Sequence, residues 1–251
     1  MANIRFRRFA VLSFLFIFLF SGCNQFDSIP DDAIPVIAAF AKENKIPYSS
    51  YPESLIKLLE NNPETTDFVL NYPILSPQRQ QVILTEEEKQ TDFPLFLQWD
   101  IRWGYLTYGS DITAITGCGP LCLSMAAFHL TGSTRHTPDR IIEFAQTNGY
   151  YSPGNGSSWT LISKGGKQLG FNVNELPLDK ALLFNRLNSG IPVICVVGPG
   201  DFTTTGHFLL FTGVEDGLIK INDPNSKANS DKLWDYDAIK GQIKNIWSIE
   251  N

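Results

Sequence analysis

The turn Gly117-Cys118-Gly119-Pro120 constrains this chain more than any other feature, because it opens an apolar helix with a thiol at the entrance. Proline suits the first helical position, where its missing N–H would find no acceptor, so the sequence predicts a helix from Pro120 to about His129. Gly119 permits a sharp backbone turn and the close approach of another group. Cys118 then stands where unpaired amides and the helix dipole favour an anion, a setting that lowers a thiol's pKa. An inert buried thiol is the ordinary alternative for any cysteine. Cys122, one turn deeper, reads as a packing residue, and Cys195 in Val193-Ile194-Cys195-Val196-Val197 reads as a small hydrophobe on a buried strand.

Around this turn the patterning changes from helix to strand. Before it, amphipathic stretches near 31–44, 51–61 and 64–72 read as helical, with Ser50 the expected N-cap of the second and Asn62-Pro63 its stop. Glu86 to Gln90 reads as a solvated charge run marking a boundary near residue 91. After Pro120, a second helix is expected at 138–147 with Thr137 as cap, a loop at 154–158, a helical stretch at 158–169 flawed by Gly165-Gly166, and a helix at 178–189. Strands are expected at 171–175, 192–197, 207–214, 218–222 and 243–249, with Glu215-Asp216-Gly217 as a hairpin turn. Helices followed by an antiparallel sheet define an α+β domain.

At 251 residues the chain can bury one good core. The net charge is −6, so nucleic acid is not an expected partner. Arg5, Arg7 and Arg8 followed by the apolar run Phe9 to Phe20 form the n- and h-regions of an export signal, too short for a spanning helix. Phe20-Ser21-Gly22-Cys23 resembles a bacterial lipobox, in which cleavage leaves an N-terminal cysteine to be diacylated; Phe20 stands where leucine is usual. Cys23 is therefore the expected lipidation site, an ordinary signal peptide or a single anchor being the alternatives. Cleavage there removes three arginines and leaves 17 basic against 26 acidic side chains, a net of −9, so a membrane contact would rely on the lipid rather than on charge. The division expected is 1–22 signal peptide, 23–91 tether and helical extension, and 92–251 the main domain. The extension reads as a spacer, a packed addition or an inhibitory segment, and Phe40, Leu55, Leu58, Leu59 and Phe68 argue for packing. No disulfide is expected. No zinc site is expected either, since no CxxC occurs and the three histidines are scattered.

A nucleophilic thiol requires a base, an orienting group and an oxyanion donor. His207 opens the apolar strand Phe208-Leu209-Leu210-Phe211. Its rivals are His129, about 16 Å along the helix from Cys118, and His136 in a polar loop. Asp223, at the end of the next strand in Asn222-Asp223-Pro224, would reach His207 across adjacent antiparallel strands; Asn222 is the alternative, and a plain turn residue the ordinary role. The Gln98 amide can join the Cys118 N–H as an oxyanion hole.

The pattern Gln98-Trp99-Asp100, Trp103, Gly117-Cys118-Gly119-Pro120, Thr131-Gly132, Phe202-Thr203, Gly206-His207-Phe208 and Asn222-Asp223-Pro224 resembles the family-39-like cysteine peptidases of the papain-like clan. The resemblance covers about 92–250. It implies a papain-like fold, Cys118 as nucleophile, His207 as base, Asp223 as orienter, Gln98 in the oxyanion hole, no cofactor, and a peptide or protein substrate. Leu121 departs from the small polar residue often found after Gly-Pro in that family. Its best-known members cut double-glycine leaders while fused to an ABC transporter; no Walker A motif occurs here, and that substrate is not carried over. A murein-peptide amidase or an acyl transferase would use the same triad, and a peptide-binding module could use the same fold without catalysis.

Overall fold

The computed structural model describes residues 29–251 except 31 and 79. The export signal and Cys23 lie outside the described residues. Helices α1 (Pro35–Asn44), α2 (Glu53–Asn61) and α3 (Thr66–Leu75) form the N-terminal extension. A short α4 (Glu86–Gln90) follows, then α5 (Thr113–Thr116), α6 (Cys118–Thr131) and α7 (Pro138–Thr147). The second half supplies a six-stranded antiparallel sheet of β1 (Asn172–Leu176), β2 (Val193–Val197), β3 (His207–Glu215), β4 (Leu218–Asn222), β5 (Leu233–Trp234) and β6 (Ile243–Glu250), in the order β1-β6-β2-β3-β4-β5. This is an α+β architecture with the Cys118 helix packed on the sheet. Among the described residues no helix is long and apolar enough to cross a membrane.

Strand alternation distributes side chains between two cores. Ile194, Val196, Phe208, Leu210 and Trp247 pack with α6, whose residues 119–128 are all buried. Val193, Cys195, Val197, Leu209 and Phe211 pack on the other face with Leu183, Leu187, Tyr236 and Ile239. Cys195 is thus a core residue on the sheet face opposite α6. A third core joins the extension to the rest: Ile37, Leu55, Leu59, Phe68 and Val69 enclose Ala114, with Trp99, Tyr105, Ile112 and Ile115 packed against them.

Several local expectations need correction. Ser50 does not cap α2; it closes a 3-10 turn at Tyr48–Ser50, and α2 starts after Pro52 without a side-chain cap. Thr137 stands before α7 but turns its hydroxyl to Thr134 O and Asp139 Oδ1. The run 86–90 is a helix closed by a Thr85/Glu88 capping box, and Glu88 is not simply solvated. It binds Arg102, which also pairs with Asp100 and lies over the Trp103 ring. Residues 154–158 belong partly to a small hairpin that pairs Tyr151–Ser152 with Gly156–Ser157. The Gly165-Gly166 flaw is a π-helical turn at Leu161–Gly165, the kind of interruption that glycine permits.

Candidate active site

The helix α6 begins at Cys118, two residues before the expected Pro120. Proline therefore occupies the third position, where an absent N–H still costs no intrahelical bond. Both glycines of the turn are set by crowding. A Cβ on Gly117 would stand 2.6 Å from Thr113 O, and one on Gly119 would stand 2.6 Å from Ser157 Oγ. Ser157 is buried and hydrogen-bonded to Tyr108 Oη at 2.9 Å, so the hairpin strand presses directly on the turn. Burial pushes the Tyr108 phenol up to about 12, which leaves it protonated beside Cys118.

The end of β4 decides which residue meets His207. The ladder closes with Leu210 paired to Asn222, and Asp223 follows in the turn, bridged to Ser226. Asp223 Oδ1 lies 2.7 Å from His207 Nε2, with both side chains buried. Asn222 instead donates to Phe93 O and Pro94 O, each at 3.2 Å. A carboxylate only accepts, so His207 Nε2 carries the proton and Nδ1 is left for the thiol. Cys118 is partly exposed, and the groups that act on its charge are His207 and the amides of Phe208 and Gly119.

The electrostatics favour an ion pair. Burial opposes ionisation of Cys118, but His207 and the two amides outweigh it, and its pKa falls below the ordinary thiol value. Burial likewise opposes the imidazolium, and Asp223 and Cys118 outweigh it, raising His207. Asp223 is lowered despite burial by His207, Asn229 and Asn225. Cys122 and Cys195 are raised well above the thiol value, chiefly by burial, and are poor nucleophiles.

Gln98 is buried, with Nε2 2.6 Å from Ala114 O and 3.3 Å from Asn225 Oδ1. Its Oε1 has no protein partner. Sequence reading missed Asn225 and Asn229. The Asn225 N–H donates to Asp223 Oδ1 at 2.8 Å, and Asn229 Nδ2 donates to Asp223 Oδ2 at 2.8 Å. Their spacing two and six residues after Asp223 is the available signal, since short polar side chains following an aspartate commonly fold a turn around it. The remaining histidines lie elsewhere: His129 binds Asp92 O and stacks on Phe93, and His136 binds the Thr131 hydroxyl. Among the described residues no cluster of side chains could hold a metal ion.

A family model described as Peptidase_C39 like family matches residues 90–250. No curated protein matches the chain. Among solved structures, the peptidase domain of Streptococcus ComA, a bi-functional ABC transporter involved in a quorum-sensing pathway, aligns at 18% identity and a TM-score of 0.43, over 54% of this chain and 91% of that one. A putative C39-like peptidase from Bacillus anthracis aligns at 14% identity and a TM-score of 0.39, over 63% of this chain and 94% of its own.

Proposed function

We propose, for a chain that belongs to the Peptidase_C39-like family, that it hydrolyses peptide bonds through Cys118, His207 and Asp223 and acts outside the cytoplasm on a lipid anchor at Cys23. The observation that carries the catalytic reading is the series Asp223, His207, Cys118, a buried carboxylate–imidazole pair beside a partly exposed thiol, in which each group shifts its neighbour towards a thiolate–imidazolium pair.

The Cys118 thiolate attacks the scissile carbonyl and forms the C–S bond as the carbonyl oxygen becomes an oxyanion. Gln98 Nε2 and the Cys118 N–H receive that oxyanion. One Gln98 proton is committed to Ala114 O, and the second, on the longer contact to Asn225, is the one available to substrate. His207 Nδ1 gives its proton to the leaving amine as the C–N bond breaks. Water then attacks the thioester, His207 takes its proton, and the Cys118 thiolate departs. Asp223 keeps the imidazole oriented and stabilises its charged form throughout.

Cleavage of a fluorogenic peptide library by the purified chain, with Cys118→Ala as control, tests this reading. Turnover that disappears in the variant supports it; equal turnover by both proteins overturns it. The anchor is tested separately by fatty-acid labelling in bacterial cells. Label incorporated by the parent and absent from Cys23→Ser is expected, and equal label in both refutes the anchor.

A further inference from the structure

The loop that carries Asp223 is tied down from the N-terminal extension. Glu64 Oε1 accepts from the Ser226 hydroxyl at 2.7 Å, and Oε2 accepts from the Lys227 N–H at 2.9 Å, with the Ala228 N–H also in reach. Asn62 Nδ2 donates to Asn225 O at 2.5 Å, and Asn62 Oδ1 accepts from the Glu64 N–H at 3.1 Å. Trp99 Nε1 binds the same Asn225 carbonyl at 3.0 Å, and Gln98 N–H donates to Pro224 O at 2.6 Å. Residues 223–229 in turn provide the contacts to His207 and Gln98 described above. A carboxylate aligned with the first amides of the short helix Lys227–Ser230 satisfies donors that have no intrahelical acceptor.

We propose that Glu64 and Asn62 are positioning residues of the catalytic site, so that the extension completes a machinery whose proposed catalytic groups all lie within the family-matched region. The inference rests on the thiol-peptidase reading above. Neither residue touches the reacting atoms. Each acts through the 223–229 loop, which fixes the Asp223 carboxylate on His207 and the Asn225 amide on Gln98. The titratable groups that face the His207–Cys118 pair are Asp223, Tyr108 and Cys122, and the charged group beside Glu64 is Lys227. Releasing the loop weakens the Asp223–His207 contact, which lowers the imidazolium's stability and with it that of the thiolate.

The test is the pH profile of Cys118 alkylation by iodoacetamide in the purified full chain, mapped by mass spectrometry. Glu64→Ala is expected to move the acidic midpoint upward and slow labelling at pH 6 about tenfold, equivalent to one unit of thiol pKa. Glu64→Gln, which turns one acceptor into a donor facing Ser226 or Lys227, falls between. Leu59→Ala lies in the same segment and removes only packing, so it lowers the unfolding temperature and leaves the profile in place. If Glu64→Ala fails to fold, Asn62→Asp serves instead: it keeps the contact to the Glu64 N–H, loses the donor to Asn225 O and shifts the profile the same way. Unchanged profiles in folded variants of a parent that reacts at low pH overturn the positioning proposal alone. A parent with an ordinary thiol profile overturns both this proposal and the catalytic reading.

Discussion

His207 Nε2 lies 2.7 Å from Asp223 Oδ1, and neither side chain is open to solvent. The carboxylate accepts from His207, Asn225 and Asn229, and burial strengthens each of these contacts. The pair therefore links protonation to folding.

The stability it contributes is complete between the ordinary aspartate and histidine values of 3.8 and 6.5. It is lost at lower pH as the lowered Asp223 takes up its proton, and at higher pH as the raised His207 loses its own. Thermal unfolding of Asp223→Asn against the parent, stepped across pH, should show its largest deficit in that window. A deficit that does not vary with pH would refute the linkage.

Alkylation by iodoacetamide at pH 6 should modify Cys118 and spare Cys122 and Cys195. Those two are buried, and their thiols are raised, whereas Cys118 is partly exposed and lowered. In His207→Ala the acidic labelling should vanish and return only as pH approaches the ordinary thiol range. Equal labelling of all three cysteines in native protein would contradict this account.

Gln98→Ala is expected to reduce kcat by about 10²–10³, the usual effect of removing one oxyanion donor. KM should change little, because the interaction develops with the transition state. A variant that raises KM alone would place Gln98 in substrate binding instead.

Gly119→Ala tests the tightness of the turn at Cys118. The added methyl meets Ser157 Oγ and Cβ at 2.6 and 2.7 Å, so either the hairpin or the turn must move. The expected result is a loss of activity with about 1–3 kcal/mol of destabilisation, typical of overpacking. Gly132→Ala is the contrast: nothing surrounds a Cβ there, and its cost arises only from the φ of +60° at the end of α6. It should retain activity.

Leu55→Ala should destabilise the whole protein by about 2–5 kcal/mol, as for other fully buried leucines. Leu55 shares a core with Ala114, and Tyr105 donates to Phe68 O at 2.7 Å across the same interface. A fragment lacking residues 29–85 should consequently expose Trp99, Tyr105, Ile112 and Ile115 and lose solubility. A soluble fragment with the parent's unfolding temperature would show instead that the extension contributes nothing to stability.

The turn at Cys118, the helix behind it and most strands of the sheet were legible in the sequence because they depend on residues a few positions apart. Pro120 directly after Gly119, the unbroken apolar runs at 193–197 and 208–211, and Asp216-Gly217, both with positive φ, each carry their geometry locally. Boundaries shifted by a residue or two where a cap was misread, as at Ser50. The choice between Asp223 and Asn222 required the tertiary contacts, since Asn222 is taken up by Phe93 O and Pro94 O while Asp223, in the turn that follows, meets His207.

Glu64 left no local trace of its role. Its partners Ser226 and Lys227 lie 162 and 163 residues away and meet it only after the extension and the sheet have packed. The sequence by itself determined the chemistry available, a thiol at a helix entrance with histidine, carboxylate and amide candidates, because residue type and turn stereochemistry are local properties. The tertiary structure alone decided which side chains face one another and what holds them, because hydrogen bonds between distant segments depend on strand register and on surfaces that exist only once the chain has folded.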